Sequence, residues 1–252
     1  MTMIDAYLER IGASRGSTQA ELQHRHLLSV PFENLSIHLG EEIELEPDAL
    51  VHKVVVRRRG GFCYELNGAF AALLSGLGHD VELLQARVLT PDGPGIPYDH
   101  LALRVDGEFL ADVGFGAFSH YPLTIGDRGD QIDPAGTFRI SETADGDLEI
   151  FLNDLPEYRL ELRPRALSDF VAGCWWHRTS PKSHFTRQVI CSMLTEHGRI
   201  SLRGSDKLIV TALDGTRTTQ PLDADDDGAV LAAYREHFSI ELEQVPTVRT
   251  DR

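Results

Sequence analysis

Positive charge is scarce in this 252-residue chain: 24 lysines and arginines stand against 39 aspartates and glutamates, for a net charge of −15. General nucleic-acid and anionic-membrane binders need a dominant basic face, so both classes are excluded. A small anion held by a local basic cluster is not. Cysteine is scarce as well. Cys63, Cys174 and Cys191 are too few and too scattered for a disulfide framework or a paired-cysteine metal site. An odd cysteine count points instead to the question of a nucleophilic thiol. No apolar run approaches the roughly 20 residues a membrane helix needs. Asp5 and Glu9 interrupt the apolar pattern of the first ten residues, which is unlike a signal peptide. Internal repeats and low-complexity segments are absent too. The composition that remains, 42% hydrophobic and 25% charged, is that of a globular chain with a substantial core. A soluble cytoplasmic protein is expected.

The texture of the chain changes twice. Up to about residue 80 the apolar spacing is helical. Ile4, Tyr7, Leu8 and Ile11 share a face that Gly12 ends, and Thr18 with Glu21 forms a capping box. Pro47 opens a third helix, and a fourth runs from Cys63 to Leu77. From Val81 to Leu162 short strand-like runs alternate with turn signals (Asp92-Gly93, Asp106-Gly107, Asp145-Gly146, Asn153-Asp154), the pattern of a small antiparallel barrel. A helix around Leu167 to Trp176, further strands and a last helix around Ala229 to Phe238 complete the chain. The expectation is an α+β protein in three parts: a helical bundle (1–80), a β-barrel (81–165) and an α/β lid (166–252).

The most informative segment is Arg59-Gly60-Gly61-Phe62-Cys63-Tyr64-Glu65-Leu66-Asn67. Two glycines turn the backbone into a helix that begins near Cys63. A thiol there sits at the positive end of the helix dipole, beside unpaired N–H groups that favour thiolate and could hold an oxyanion. Such a nucleophile needs a base and a group to orient it. His100 opens the alternating strand His100-Leu101-Ala102-Leu103-Arg104-Val105, which turns at Asp106-Gly107 and returns through Asp112. A two-residue turn would place His100 and Asp112 on opposite faces. A three-residue loop pairs Arg104 with Glu108, hence His100 with Asp112, and separates an apolar face from a polar one. The cleaner faces favour the second register. Cys63, His100 and Asp112 then form a nucleophile, base and orienter.

That segment resembles the signature of the arylamine N-acetyltransferase family. Three further segments match in order: Val30-Pro31-Phe32-Glu33-Asn34-Leu35, the pair Asp99-His100-Leu101 with Asp112-Val113-Gly114-Phe115-Gly116, and Thr179-Ser180-Pro181-Lys182-Ser183-His184-Phe185. The similarity covers essentially the whole chain. It implies the three-part fold with a cysteine-proteinase-like core, and acetyl transfer from acetyl-coenzyme A through Cys63 to an arylamine, arylhydrazine or N-hydroxyarylamine. By the same resemblance, Phe32, Tyr64, Phe115 and Phe185 line the acceptor pocket. Gly95, Ile96, Pro97, Thr179, Lys182 and Ser183 approach the coenzyme, whose phosphates would find charge at Arg57 to Arg59 or at Lys182 and Arg187. No metal is implied, and the protein would be a monomer or homodimer. The alternatives are a relative that closes a polyketide macrolactam with the same triad, a cysteine hydrolase, and a binding protein that keeps the scaffold. Cys174 and Cys191 read as packing residues. The acidic run Asp223, Asp225, Asp226, Asp227 lacks calcium-loop spacing and reads as the start of the last helix.

Overall fold

The computed structural model describes residues 2–248. Helices α1 (Met3–Ile11) and α2 (Gln19–Ser29) lead to a two-residue strand, β1 (Phe32–Glu33). Helices α3 (Leu35–Leu39), α4 (Pro47–Val55) and α5 (Cys63–Gly76) follow. Thr2 with Asp5 and Thr18 with Glu21 form the reciprocal caps that start α1 and α2, and Gly12 ends α1 at φ 65°. Pro47 stands in the first turn of α4, where its missing N–H costs nothing.

The barrel strands are β2 (Val81–Thr90), β3 (Gly93–Pro94), β4 (His100–Val105), β5 (Phe109–Ala111), β6 (Leu123–Thr124), β7 (Gln131–Asp133), β8 (Gly136–Glu142), β9 (Leu148–Leu152) and β10 (Leu155–Leu160). The main sheet runs β6-β5-β4-β2-β10-β9-β8-β7, with β3 hanging from β2. The Gln131 side chain closes the gap between the edge strands: it accepts from Thr124 N–H at 2.7 Å and donates to Thr124 C=O at 3.0 Å. Strand alternation sorts the hairpin at the centre of the molecule. Leu101, Leu103, Val105, Ala111 and Val113 face outward into the same buried cluster as α5, whereas Ala102 and Leu110 point into the barrel core with Phe138, Ile150 and Tyr158. His100 and Asp112 share the parity of that inner set.

The hairpin differs from the register expected above. Val105 pairs with Phe109, Arg104 with Leu110 and Leu103 with Ala111, not Arg104 with Glu108. Asp106 and Gly107 both take positive φ, 53° and 70°, and Glu108 N–H donates to Val105 C=O, as in a two-residue turn. Glu108 is then an extra residue before pairing resumes, and this bulge restores the parity that a two-residue turn alone would invert. His100 and Asp112 therefore lie on one face, offset diagonally rather than directly opposed.

A short 3₁₀ turn over Leu167–Phe170 leads into α6 (Val171–Thr179) and α7 (His184–Arg187). Strands β11 (Ile190–Thr195), β12 (Gly198–Arg203), β13 (Lys207–Ala212) and β14 (Arg217–Pro221) and helix α8 (Asp227–Phe238) end the fold. Asp226 caps α8 by accepting from Ala229 N–H, as the acidic run suggested. These strands form a second sheet in the order β1-β11-β12-β13-β14. One face carries Cys191, Leu202 and Leu208 against Val230, Tyr234 and Phe238 of α8. The architecture is thus α+β: a helical bundle, an antiparallel barrel and a C-terminal α/β layer.

Strand β1 was missed in the sequence because two residues carry no periodicity. It matters for the site. Phe32 pairs with Ser192 on one side and bridges Gly61 on the other. A Cβ on Gly60 would lie 1.8 Å from the Pro31 carbonyl oxygen, so the first glycine is required by this close approach. Below the turn is a buried charge cluster. Arg59 pairs with Glu33 at 2.9 Å and Glu41 at 3.2 Å, and Lys53 pairs with Glu65 at 2.5 Å. Arg57 pairs with Glu41 as well. Of the arginines proposed for phosphates, Arg57 and Arg59 are committed here: they are ion-paired and brace the loop that carries Cys63. Burial pushes the Glu33 carboxyl up, but Arg59 and Lys53 outweigh it and hold it below its ordinary value. That contribution to stability is present above the ordinary carboxylate range and lost as pH falls through the lowered value. Arg59→Ala should cost about 3–5 kcal/mol, because it strands Glu33 without its partner. The urea midpoint measures this; a loss below about 1 kcal/mol would show the pair to be dispensable.

Candidate active site

Cys63 is the first residue of α5, with Phe62 as N-cap. Glu65 reaches back to accept from Phe62 N–H at 3.2 Å, fixing the entry of the helix. Asn67, one turn further on, ties α5 to the barrel. Its amide donates to Leu101 C=O at 2.6 Å and to Asp112 Oδ1 at 2.9 Å, and its carbonyl accepts from Val113 N–H at 2.9 Å. Gly114 lies against the start of the helix, where a Cβ would come within 2.7 Å of Cys63 Cα. The helix bearing the thiol and the segment after β5 that bears Asp112 are therefore held in contact by an asparagine and a glycine.

Asp112 is buried and accepts four hydrogen bonds. Oδ1 takes Asn67 Nδ2 and Gly114 N–H, both at 2.9 Å, while Oδ2 takes His100 Nε2 at 2.6 Å and Tyr158 OH at 3.3 Å. With Nε2 engaged, Nδ1 is the imidazole nitrogen available to the cavity that Cys63 and His100 both line. Phe115 meets the His100 ring edge-on at 5.0 Å and Tyr158 lies at 5.3 Å, so the imidazole is fixed in orientation. Just upstream, Tyr98 sits at φ 58°, held by its N–H to Gln85 Oε1 and its C=O from Tyr64 OH. This is local strain beside the chemistry.

Burial raises the Cys63 thiol well above its ordinary value, with Asp112 and Asp99 adding to the rise and the Leu101 N–H opposing it. Burial thus opposes the pull of the helix N-terminus towards thiolate, which gives a partner that takes the proton a definite task. Cys174, also buried, is raised to about 12 by burial, and burial likewise holds Cys191 well above its ordinary value. Both are packing residues.

The cavity has a volume of about 1430 Å³. Of the aromatic residues expected around it, Phe32, Phe115 and Phe185 line it with Cys63 and His100. Tyr64 does not. It is fully buried, its ring 5.0 Å from Phe62 and its hydroxyl donating to Tyr98 C=O and Asp99 C=O. Adjacent residues on a helix are about 100° apart, so Tyr64 turns inward where Cys63 turns outward. Gly95, Ile96, Pro97, Lys182 and Ser183 line the same cavity. Thr179 lies off it, at the end of α6, its hydroxyl donating to Trp175 C=O at 2.7 Å. Sequence reasoning missed the roles of Asn67, Gly114 and Tyr158. Asn67 was findable, since a residue four positions after Cys63 shares its face. Tyr158 carries no local signal, because it arrives from β10 across the barrel. Among the described residues no cluster of three or more metal-ligating side chains occurs, and no helix is long and apolar enough to cross a membrane.

A thiol, an imidazole and a carboxylate around one cavity form the constellation of enzymes that move acyl groups through a thioester. A family model described as N-acetyltransferase matches residues 17–247. An arylamine N-acetyltransferase of Mycobacterium tuberculosis is 33% identical over 263 residues, covering 96% of this chain and 90% of the relative. The structure of the Mycobacterium smegmatis enzyme superposes with a TM-score of 0.84 at 32% identity, covering 96% of this chain and 93% of that one. That of the Mycobacterium marinum enzyme in complex with CoA gives 0.82 at 30% identity, with 94% and 92% covered. The chain is an acyltransferase by class. It belongs to the arylamine N-acetyltransferase family.

Proposed function

We propose that this chain moves an acetyl group from acetyl-coenzyme A to an arylamine, arylhydrazine or N-hydroxyarylamine in two half-reactions, with Cys63 as the acyl carrier, His100 as the base and Asp112 as its orienter. The observation that carries this reading is the hydrogen-bonded His100–Asp112 pair beside Cys63 in one aromatic-lined cavity. His100 Nδ1 takes the Cys63 proton as the sulfur attacks the thioester carbonyl. The unpaired N–H groups at the start of α5 stabilise the oxyanion. The intermediate collapses, the coenzyme thiolate leaves with the proton from His100, and acetyl-Cys63 remains. An aromatic amine is unprotonated at neutral pH. It attacks the acetyl carbon, gives its proton to His100, and the Cys63 thiol is restored by that proton. Phe32, Phe115 and Phe185 form an apolar slot that suits a flat ring and slows hydrolysis of the thioester. Gly95, Ile96 and Pro97 with Lys182 and Ser183 hold the coenzyme, a reading supported by their place on the cavity wall and by the CoA complex of the M. marinum relative.

Three units, 1–80, 81–165 and 166–252, are part of the same proposal; the barrel has a buried cluster of its own, while the cluster around α5 draws residues from all three and joins them. A cytoplasmic location is part of it too, for which the three free thiols speak.

Intact-mass measurement after mixing with acetyl-coenzyme A alone tests the reading. One acetyl group should be added, mapped to Cys63, and released on addition of an arylamine. Initial rates at several acceptor concentrations should give parallel double-reciprocal lines. Loading at Cys174 or Cys191, or intersecting lines, contradicts it. Loading only by longer acyl thioesters would favour macrolactam closure.

A further inference from the structure

The cavity wall opposite the barrel is the second face of the C-terminal sheet. Paired residues share a face, so Phe32, Ser192, Arg199, Ser201 and Arg203 all point the same way, and all line the cavity. Among them Arg199 is unusual. Its only hydrogen bond among the described residues is from Nη1 to Ser192 Oγ at 3.2 Å, and it makes no ion pair. Arg199 and Asp133 both act on His120, but the Asp133 carboxylate is already taken by the N–H groups of His120, Tyr121 and Ala135. Protein encloses the guanidinium closely enough that desolvation pulls its pKa down to about 10, although its side chain still opens to the cavity. In a chain with a net charge of −15, a cation that has lost water and has no carboxylate is costly to maintain. Of the other cations on the wall, Lys182, Arg187, Arg203 and Arg217 are exposed, and the half-buried Arg87 donates to Gly95 C=O.

We propose that Arg199 binds an anionic substituent of the acceptor, so that arylamines carrying a carboxylate on the ring are the preferred acceptors. This rests on the reading of Cys63 as acyl carrier. Two placements support it. Ser192, which holds the guanidinium, is two strand spacings from Gly61, about 10 Å, by way of Phe32. A benzene ring with an amine at one end and a carboxylate at the other is of that order, and Phe32 lies between the two ends. The coenzyme's phosphates are separated from its sulfur by the whole pantetheine arm and carry several charges. They fit the exposed cations rather than a single enclosed guanidinium, which matches one planar carboxylate in a two-point contact.

The test compares para-aminobenzoate with its neutral isostere para-aminobenzamide, using acetyl-coenzyme A as donor. The wild type should favour the carboxylate by at least about tenfold in kcat/KM, expressed mainly in KM, the scale of a charge-assisted hydrogen bond. Arg199→Gln should lower that ratio about 10- to 100-fold, and Arg199→Lys, which keeps charge but loses the fork, should fall between. An unchanged ratio in Arg199→Gln overturns the proposal. So does a raised KM for acetyl-coenzyme A with the ratio intact, which would assign the guanidinium to a donor phosphate. Calorimetric binding of para-aminobenzoate without donor separates this idea from the acyl-carrier reading. It should weaken at least about tenfold in Arg199→Gln even if no acetyl transfer occurs, and equal binding by both proteins overturns the anion site.

Discussion

Asp112→Asn should fold normally and lose about a thousand- to ten-thousandfold in kcat/KM. The hydrogen bonds dictate how. Asn67 Nδ2 and Gly114 N–H both donate to Oδ1, so the asparagine carbonyl must stay on that side. Its NH₂ then takes the place of Oδ2, facing His100 Nε2 and Tyr158 OH. Tyr158 can turn its hydroxyl to accept. His100 can accept only by moving its proton from Nε2 to Nδ1, the nitrogen that must receive the proton of Cys63. The wrong tautomer is thus built in without a change of shape. The measurement is the rate of acetyl loading, followed by intact mass, beside a thermal melt. A loading rate within about threefold of the wild type would show that Asp112 does not set the tautomer.

Cys63→Ala has the larger effect. Removing a covalent nucleophile from an intact triad leaves only binding and oxyanion contacts, and the turnover should fall by about five to six orders of magnitude. Acetylated protein should vanish from the mass spectrum, since Cys174 and Cys191 are enclosed thiols held protonated by burial. The methyl group fits where the thiol was, so the melting temperature should shift by only a few degrees. Residual acetylation above about 1% of the wild-type rate would mean direct transfer from donor to acceptor.

Much of this site was legible because its parts announce themselves locally. Cys63 follows two glycines and opens an apolar helix. His100 opens β4 and Asp112 directly follows β5, so strand alternation fixes their face. The residues that failed did so for geometric reasons. The hairpin register depended on Glu108 bulging after a two-residue turn, and Asp106-Gly107 is compatible with either loop. Parity survived because the bulge moves the partner by one residue and so shifts the pairing by two relative to the expected register. Tyr64 was assigned to the slot by the family resemblance, but helical rotation turns it into the core. Arg57 and Arg59 read as free charge, yet Glu33 and Glu41, which neutralise them, stand well upstream in the chain. The role of Tyr158 follows only from barrel closure.

Strand β1 also determines when the protein can become active. Phe32 and Glu33 complete their pairing only with Ser192 and Cys191, and the loop before Cys63 leans on them through the bridge from Phe32 to Gly61. About 160 residues of chain separate the two partners, a closure that entropy makes slow. During synthesis the helices and barrel emerge first, with the edge of β1 unpaired and the Gly60-Gly61 turn supported on one side alone. The nucleophile is encoded early, but its seat is finished by one of the last strands to leave the ribosome. A partly made chain therefore has no formed slot in which to hold a thioester.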